Sequence, residues 1–147
     1  MITIIRTNSD NPDFQKLTSK LDIELCRIYN TQPEDYEEYN RITDLKTVIL
    51  AYFNDELVGC GCFKQFNGTT IELKRMYVDP AFRGKGAASA MVRELEKWGI
   101  ELGNSIAVLE TGTGQPEAIS MYHRLGYSDT ENYLGETGHS ICMKKVL

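Results

Sequence analysis

The sequence predicts an α/β protein in which a mixed, mostly antiparallel central sheet carries helices on both faces. Three strand-like runs, Thr47–Phe53, Leu57–Phe66 and Thr70–Val78, follow one another across short turns, which is typical of antiparallel hairpins. Apolar residues recur every three or four positions over Asp13–Ile28 and Met91–Leu102, as they do on one face of a helix. Together these patterns give the element order βααβββαβαββ.

The N-terminal third of the chain supplies the first strand and two predicted helices. Ile2–Arg6 is a short β-branched run and predicts the strand. The helix over Asp13–Ile28 follows it. Pro33 then opens an acidic stretch, Glu34–Glu38, which predicts a short second helix with proline in its first turn. Asn54–Glu56 predicts the turn between the first two hairpin strands.

Turn and cap residues divide the rest of the chain. Asn67-Gly68 predicts a two-residue turn, because both residues tolerate positive φ. Gly103 lies where the long helix needs a left-handed end. The remaining elements are a strand over Ser105–Leu109, a helix from Pro116 with Gln115 as its N-cap and Gly126 past its end, and final strands from Tyr127 and over His139–Val146.

Length, charge and cysteine spacing limit the classes of function. We expect the 147 residues, 1–147, to form a single domain. The net charge of −5 argues against a nucleic-acid partner. Met1–Arg6 has no basic region followed by an apolar leader, and no stretch approaches a bilayer span, so we expect a cytoplasmic protein without a membrane partner. The one-residue gap of Cys60-Gly-Cys62 is not a zinc spacing, so we expect buried thiols and no metal.

A glycine-bearing loop, Arg83–Gly86, lies between a predicted strand and the long helix. This arrangement presents unpaired backbone N–H groups and the positive end of a helix dipole at one place, which suits a pyrophosphate. Gly84 and Gly86 allow a ligand close to the backbone, and the small residues of Ala87–Ser89 keep the first helical turn slim. The loop lacks the spacings of the nucleoside-triphosphate and dinucleotide loops, which disfavours a nucleotide-binding domain.

Arg83–Ala88 resembles the Arg/Gln-x-x-Gly-x-Gly/Ala signature of the GNAT superfamily of N-acetyltransferases. Met76–Pro80 and Ala118–Tyr127 resemble two further segments of that family, while the first third of the chain matches in element order. The resemblance implies a GNAT-like acyl-CoA acyltransferase fold, acetyl-CoA as the acyl donor and a primary amine as the acceptor. The residues that it assigns to acetyl-CoA are Met76, Tyr77, Val78, Arg83, Gly84, Lys85, Gly86, Ala87, Ala88, Ser89 and Gln115.

The apolar alternation along Thr70–Val78 changes parity between Lys74 and Arg75. A one-residue shift of this kind predicts a β-bulge, although a buried strand that tolerates mixed faces is the alternative. The resemblance implies that Met76 and Val78 use the backbone groups freed there to pair with the pantetheine arm.

Two carboxylates and one tyrosine are candidates for proton transfer. Glu72, on the strand before the bulge, is the first candidate for the base, and Glu110 is the second and is also assigned to the substrate site. Solvated strand carboxylates, with a water chain as the base, are the alternative. By resemblance Tyr122 is the general acid for the departing thiolate, and the competing interpretation is a tyrosine packed on the inner face of its helix.

Three polar residues near these motifs have open roles. Gln115 stands where the family often has asparagine, and its longer amide can still reach the cofactor arm. Arg124 and Lys85 are candidates for the outer phosphates, and solvated surface charges are the equal alternative.

The acceptor pocket is expected from the first third of the chain and from the loop over Thr130–His139. Tyr36 is the candidate substrate residue there, within a helix-spaced acidic and aromatic group that also holds Asp35, Glu38 and Tyr39. A solvated helix face is the alternative. The sequence leaves open a small amine, an amino acid, an antibiotic or a protein N-terminus as acceptor. A non-catalytic acyl-CoA-sensing module is the rival function, and a homodimer through a sheet edge or helix is compatible with the pattern.

Overall fold

The computed structural model describes residues 1–30, 44–133 and 140–147. Within these residues it has seven strands, three α-helices and one 3-10 turn. In chain order they are β1 Ile2–Thr7, α1 Pro12–Tyr29, β2 Val48–Phe53, β3 Glu56–Gln65, β4 Thr70–Val78, the 3-10 turn Pro80–Phe82, α2 Ala87–Glu101, β5 Ile106–Gly112, α3 Pro116–Arg124, β6 Ser128–Thr130 and β7 Ser140–Val146. The second helix predicted at Glu34–Glu38 lies outside the described residues.

The strands form one mixed sheet in the order β1-β2-β3-β4-β5-β7-β6. The pairs β1–β2, β2–β3, β5–β7 and β6–β7 are antiparallel, whereas β4 and β5 run parallel, with Thr70–Leu73 beside Ile106–Leu109. The predicted mixed, mostly antiparallel sheet is therefore confirmed. No helix among the described residues is long and apolar enough to cross a bilayer.

The chain divides into two compact units. The first unit comprises Met1–Cys62 and Arg75–Leu95, and the second comprises Phe63–Lys74 and Glu96–Leu147. The strand β4 and the helix α2 each contribute residues to both units. The single domain expected from the chain length stays a prediction.

In the first unit, the helix α1 covers a hydrophobic core. Its N-cap residue Asn11 accepts a hydrogen bond from Asp13 N at 2.9 Å, which satisfies one of the free donors of the first turn. Three side chains of the apolar spacing predicted for this helix, Phe14, Leu17 and Leu21, are buried, and each contributes about 1.5–3 kcal/mol by leaving water. Leu25 is half-buried and Ile28 is exposed at the end of the helix. The buried members of this core are Phe14, Leu17, Leu21, Val48, Leu50, Cys60, Cys62 and Tyr77.

The two short strand connections have different geometries. Asn54 and Asp55 have φ values of 49° and 70°, so both central residues of the β2–β3 turn are left-handed, as a tight hairpin turn requires. Neither Asn67 nor Gly68 has a positive φ, so the turn geometry predicted there was wrong. Asn67 Oδ1 instead accepts hydrogen bonds from the backbone N–H groups of Thr69 and Thr70, at 3.1 and 3.0 Å.

A buried polar network orders the chain after α3 in the second unit. Tyr127 donates a hydrogen bond to Glu96 Oε2 at 2.8 Å, and Lys145 Nζ lies 3.1 Å from both oxygens of that carboxylate. The same ammonium lies 5.6 Å from the centre of the Tyr127 ring. Because Glu96 is buried, the paired charge and the phenol satisfy a group that would otherwise be costly there.

Candidate active site

The strand β4 contains the predicted irregularity. Arg75 has a φ of 56°, a left-handed value that is rare for a residue inside a strand. Hydrogen bonds join Asp79 N to Val58 O and Phe66 N to Thr70 O, both at 2.8 Å. Phe66 lies eight residues after Val58, whereas Asp79 lies nine residues after Thr70. The strand β4 therefore holds one residue more than β3 opposite it, as a β-bulge requires.

Beyond the bulge, the backbone of β4 has no partner in β5. Pairing of the two strands ends at Leu73 and Leu109, so Met76 and Val78 have no β5 residue beside them. The Val78 carbonyl, however, accepts a hydrogen bond from Arg83 Nε at 2.8 Å. This carbonyl was expected to be free for a ligand, and the structure uses it to hold the loop.

The loop that follows is shaped by two left-handed glycines. Gly84 has a φ of 81° and Gly86 a φ of 86°, values that strain any residue with a Cβ. A Cβ added at either position would meet no atom within 4 Å. Glycine is therefore required here by backbone conformation, and the space in front of the loop is open.

The backbone N–H groups around the start of α2 have no acceptors among the residues that the structure describes. Hydrogen bonds run from Arg83 N to Pro80 O and from Ala90 N to Gly86 O. Within the described part of the chain, no backbone hydrogen bond is donated by the residues from Gly84 to Ser89. The first turn of α2 contains no acidic side chain. Free donors of this kind and the positive end of the helix dipole are features that favour an anion.

The side chains of the two loop cations contact protein groups. The Arg83 guanidinium is bidentate to Glu24 of α1, with Nη2 at 2.7 and 2.9 Å from the two oxygens, and it lies 5.7 Å from the Tyr77 ring centre. Lys85 Nζ lies 5.9 Å from the centre of the Phe53 ring. Arg83 therefore fixes the loop through its side chain, and its own backbone N–H, which was predicted to be one of the ligand-binding amides, donates to Pro80 O instead.

In the second unit, Glu72 is a buried carboxylate with two differently placed oxygens. Its residue is 1% exposed. Oε2 accepts a hydrogen bond from the Tyr133 hydroxyl at 2.9 Å. Oε1 lies 3.6 Å from Lys64 Nζ and 3.7 Å from Lys74 Nζ, distances that allow ion pairing but are too long for a hydrogen bond. Among the described residues, therefore, none makes a hydrogen bond to the buried Oε1.

Glu110 lies on the same face of the sheet as Glu72. Glu72 is opposite Val108 on β5, and Glu110 follows two residues later, so the side chains share a face. Glu110 Oε2 is also buried without a hydrogen-bond partner. Cys142 is opposite Glu110 on β7, and its thiol pKa is raised by burial first and then by both carboxylates. The structure therefore brings the two predicted carboxylates into one cluster.

Tyr133 completes this cluster, and sequence reasoning had not singled it out. Burial and the neighbouring Glu72 carboxylate hold the pKa of its phenol far above the usual range, so it stays a proton donor. Its ring packs edge-on against Phe66, with centroids 5.1 Å apart. The signal that pointed toward it was its place in the loop over Thr130–His139, which was predicted to line the acceptor pocket.

Tyr122 is buried on the inner face of α3. Its ring contacts Tyr127 edge-on at 5.7 Å, and burial raises its phenol pKa above the usual range. Among the described residues none accepts a hydrogen bond from the Tyr122 hydroxyl, which leaves that donor for a ligand. At the start of the same helix, Gln115 Oε1 accepts a hydrogen bond from Thr111 at 3.1 Å, and no side-chain cap forms at the predicted N-cap.

Other predicted residues are exposed or lie outside the described ranges. Arg124 is exposed at the end of α3. Tyr36 and its neighbours Asp35, Glu38 and Tyr39 are outside the described residues, as are residues 134–139 of the predicted acceptor loop. Within the described ranges, no group of three or more His, Cys, Asp or Glu side chains could hold a metal ion.

The mixed seven-stranded sheet with its three helices is that of the acyl-CoA N-acyltransferase class of fold. The chain belongs to the acetyltransferase (GNAT) family, whose model matches residues 14–127. This confirms the resemblance read from Arg83–Ala88 and the fold class that it implied.

Two relatives show the extent of sequence similarity. The Escherichia coli (strain K12) protein named uncharacterized N-acetyltransferase YjgM is 35% identical over 98 residues, which are 65% of this chain and 59% of that protein. The chain thus matches less than two thirds of the length of YjgM. The IAA acetyltransferase of Azospirillum brasilense is 29% identical over 156 residues, which are 99% of this chain and 98% of that protein.

Solved structures show the same fold over the whole chain. A Klebsiella pneumoniae protein described as an acyl-CoA N-acyltransferase has a TM-score of 0.81 at 26% identity and covers 100% of this chain and 98% of its own. A GNAT family acetyltransferase from Elizabethkingia anophelis, solved with acetyl-CoA bound, has a TM-score of 0.70 at 19% identity. That match covers 99% of this chain and 98% of the other.

Proposed function

We propose that this protein transfers an acetyl group from acetyl-CoA to a primary amine by direct attack of the amine on the thioester. The observation that carries the proposal is the run of backbone N–H groups from Gly84 to Ser89, which no described acceptor satisfies. Membership of the GNAT family supports acetyl-CoA as the donor. The open space beside Gly84 and Gly86 supports a ligand in front of this loop.

The donor is held by backbone groups in this proposal. The loop amides bind the diphosphate, and the start of α2 adds its dipole. Met76 and the N–H of Val78 pair with the pantetheine arm, because β4 has no β5 partner there. Two or three such bonds, each worth about 1 kcal/mol, align the arm but contribute little of the total affinity. The Gln115 amide nitrogen is a further donor for this arm.

Proton transfer begins with Glu72 as the base. An amine with a lysine-like pKa of about 10.4 must lose a proton before it attacks, which costs about 4–5 kcal/mol at pH 7. Oε1 of Glu72 is a buried acceptor without a hydrogen-bond partner and can receive that proton. Glu110 binds the ammonium form of the substrate through its buried Oε2. Tyr36, from the first third of the chain, is proposed to contact the same amine substrate.

Tyr122 assists the leaving group. The amine nitrogen forms a bond to the acetyl carbon, the carbon–sulfur bond breaks, and the thiolate of coenzyme A departs. Because burial raises the Tyr122 pKa, the phenol keeps its proton and stabilises the sulfur by a hydrogen bond more readily than by full transfer. The substrate ammonium loses two protons in all: the first passes to Glu72 before the attack, and the second leaves the nitrogen as the tetrahedral intermediate collapses and protonates the departing thiolate, so that coenzyme A is released as a thiol.

Two measurements test the function in sequence. A thermal shift with acetyl-CoA at 100 times its dissociation constant corresponds to about 2.7 kcal/mol of added stability, and ATP should give none. Thiol release over a panel of amines, amino acids, aminoglycosides and peptides then identifies the acceptor. Binding of acetyl-CoA without thiol release from any amine would favour the sensing module. Full turnover by Tyr122→Phe at every pH would remove Tyr122 from the mechanism.

A further inference from the structure

The two oxygens of Glu72 have different surroundings, and one residue creates the difference. The Tyr133 hydroxyl donates to Oε2 at 2.9 Å, whereas no hydrogen bond from the described residues reaches Oε1, which the Lys64 and Lys74 ammoniums approach only to 3.6 and 3.7 Å. A buried carboxylate oxygen without a donor is costly and calls for an explanation in the function of the molecule. An ammonium or amine N–H from a ligand would supply the missing donor.

We propose that Tyr133 is a positioning residue, which fixes the Glu72 carboxylate through Oε2 and so presents Oε1 to the acceptor amine. The inference rests on the proposed function, because it assumes that Glu72 is the base. Because Oε2 is engaged by this hydrogen bond, Oε1 is the oxygen at which the carboxylate can accept a proton. Tyr133 thereby decides from which side the amine approaches.

The groups around the carboxylate are consistent with this role. Lys64 on β3 and Lys74 on β4 both approach Oε1, but neither reaches hydrogen-bond distance. Glu110 on β5 and Cys142 on β7 lie on the same face. Lys144 on β7 lies opposite Val108, the β5 residue beside Glu72, and therefore shares this face as well. The ammoniums on β3 and β4 both lie within ion-pairing distance of Oε1, and the hydrogen bond from Tyr133 is the directional contact that can hold the Glu72 carboxylate in one orientation.

The packing of the Tyr133 ring provides a matched control. Its edge contacts Phe66, which is 40% exposed and has no polar group to offer the carboxylate. Tyr133→Phe removes the hydroxyl and keeps the ring contact, whereas Phe66→Leu removes the ring contact and keeps the hydroxyl. The pair of variants separates a hydrogen bond to the base from simple packing of the loop.

The test measures kcat/KM as a function of pH with the amine that the panel shows to be turned over fastest. Loss of a hydrogen bond to a charged group should lower kcat/KM by about 10- to 100-fold in Tyr133→Phe. The acid limb of the profile should move in Tyr133→Phe, because this variant leaves Oε2 of the base without its hydrogen-bond donor. KM for acetyl-CoA should stay unchanged, and Phe66→Leu should keep the acid limb of the wild type.

The outcomes separate this inference from the function on which it rests. Absence of thiol release by the wild type over the whole panel overturns the proposed function, and the inference with it. A wild type that is active, together with a Tyr133→Phe profile whose acid limb has not moved, overturns the inference alone. An equal shift in Phe66→Leu also overturns it, since packing would then account for the effect.

Discussion

Replacing Gly86 by alanine changes the backbone preference of the anion-binding loop and nothing else in its surroundings. Gly86 has a φ of 86°, and an added Cβ would meet no atom within 4 Å. The cost is therefore conformational, about 1–2 kcal/mol for an L-residue in the left-handed region. For a chain of this length that corresponds to a fall in Tm of about 3–8 °C.

The strain introduced by Gly86→Ala must appear either as a loss of folding stability or as a loss of affinity for acetyl-CoA. If the loop keeps its shape in Gly86→Ala, urea denaturation without ligand shows the full loss of stability. If the loop relaxes to negative φ instead, its amides turn away, and the affinity for acetyl-CoA falls by at least tenfold, or about 1.4 kcal/mol. Calorimetric titration with acetyl-CoA measures the second quantity on the same protein.

Gly68 is the matched control for this experiment. It has open space around it, and its φ lies outside the left-handed region. Gly68→Ala should therefore change the free energy of unfolding by no more than about 0.5 kcal/mol and leave affinity unchanged. If Gly86→Ala matched Gly68→Ala in both measurements, the argument from loop conformation would be refuted.

Two further predictions concern close packing and pH. Gly59→Ala should lower stability by about 1–3 kcal/mol in urea denaturation, because its Cβ would lie 2.9 Å from the rigid Tyr77 carbonyl oxygen. Gly61→Ala should lower stability less than Gly59→Ala, because the added Cβ would meet Met76 Sδ, which lies on a flexible side chain. A larger loss of stability in Gly61→Ala than in Gly59→Ala would contradict this account. Burial raises the Tyr122 pKa above its usual value of 10.0, so its contribution to stability is complete below pH 10 and is lost above it, by about 1.4 kcal/mol per pH unit. Unfolding free energies from pH 9 to 11 should show a shallower decline in Tyr122→Phe, and an identical slope would contradict the assignment.

The bulge in β4 was predictable because its signal is local. A strand alternates inward and outward side chains, so one inserted residue reverses the parity of the apolar positions. That reversal is visible at Lys74 and Arg75, where the structure has its left-handed residue. The loop could be predicted for the same reason. Its backbone is left-handed at Gly84 and Gly86, and glycine is the residue type that favours this conformation.

The Tyr133–Glu72 hydrogen bond could not be predicted, because it joins residues 61 positions apart. No periodicity relates a loop residue to a strand residue at that separation, and only the folded sheet brings them together. The bidentate contact of Arg83 with Glu24 spans 59 positions and was missed for the same reason. Sequence patterns located the carboxylate and the loop, but they did not reveal what orients either one.

The turn geometry predicted at Asn67 was wrong for a different physical reason. Asparagine before glycine tolerates positive φ, but its side chain also competes for backbone donors. Here Oδ1 accepts from two N–H groups, and this arrangement leaves both φ values in the ordinary range. The left-handed pair occurs at Asn54 and Asp55, a sequence with weaker preference for it.

The guanidinium of Arg83 has a consequence for the kinetics of ligand capture. It donates hydrogen bonds to both the Glu24 carboxylate and the Val78 carbonyl, and these two contacts hold the loop without a ligand. The conformational entropy of ordering these residues is then lost during folding, and a bound anion need not restrain them again. If the loop binds a diphosphate as proposed, that ligand meets a loop whose shape is already set, and the lifetime of the complex depends on the bonds that the ligand makes to it.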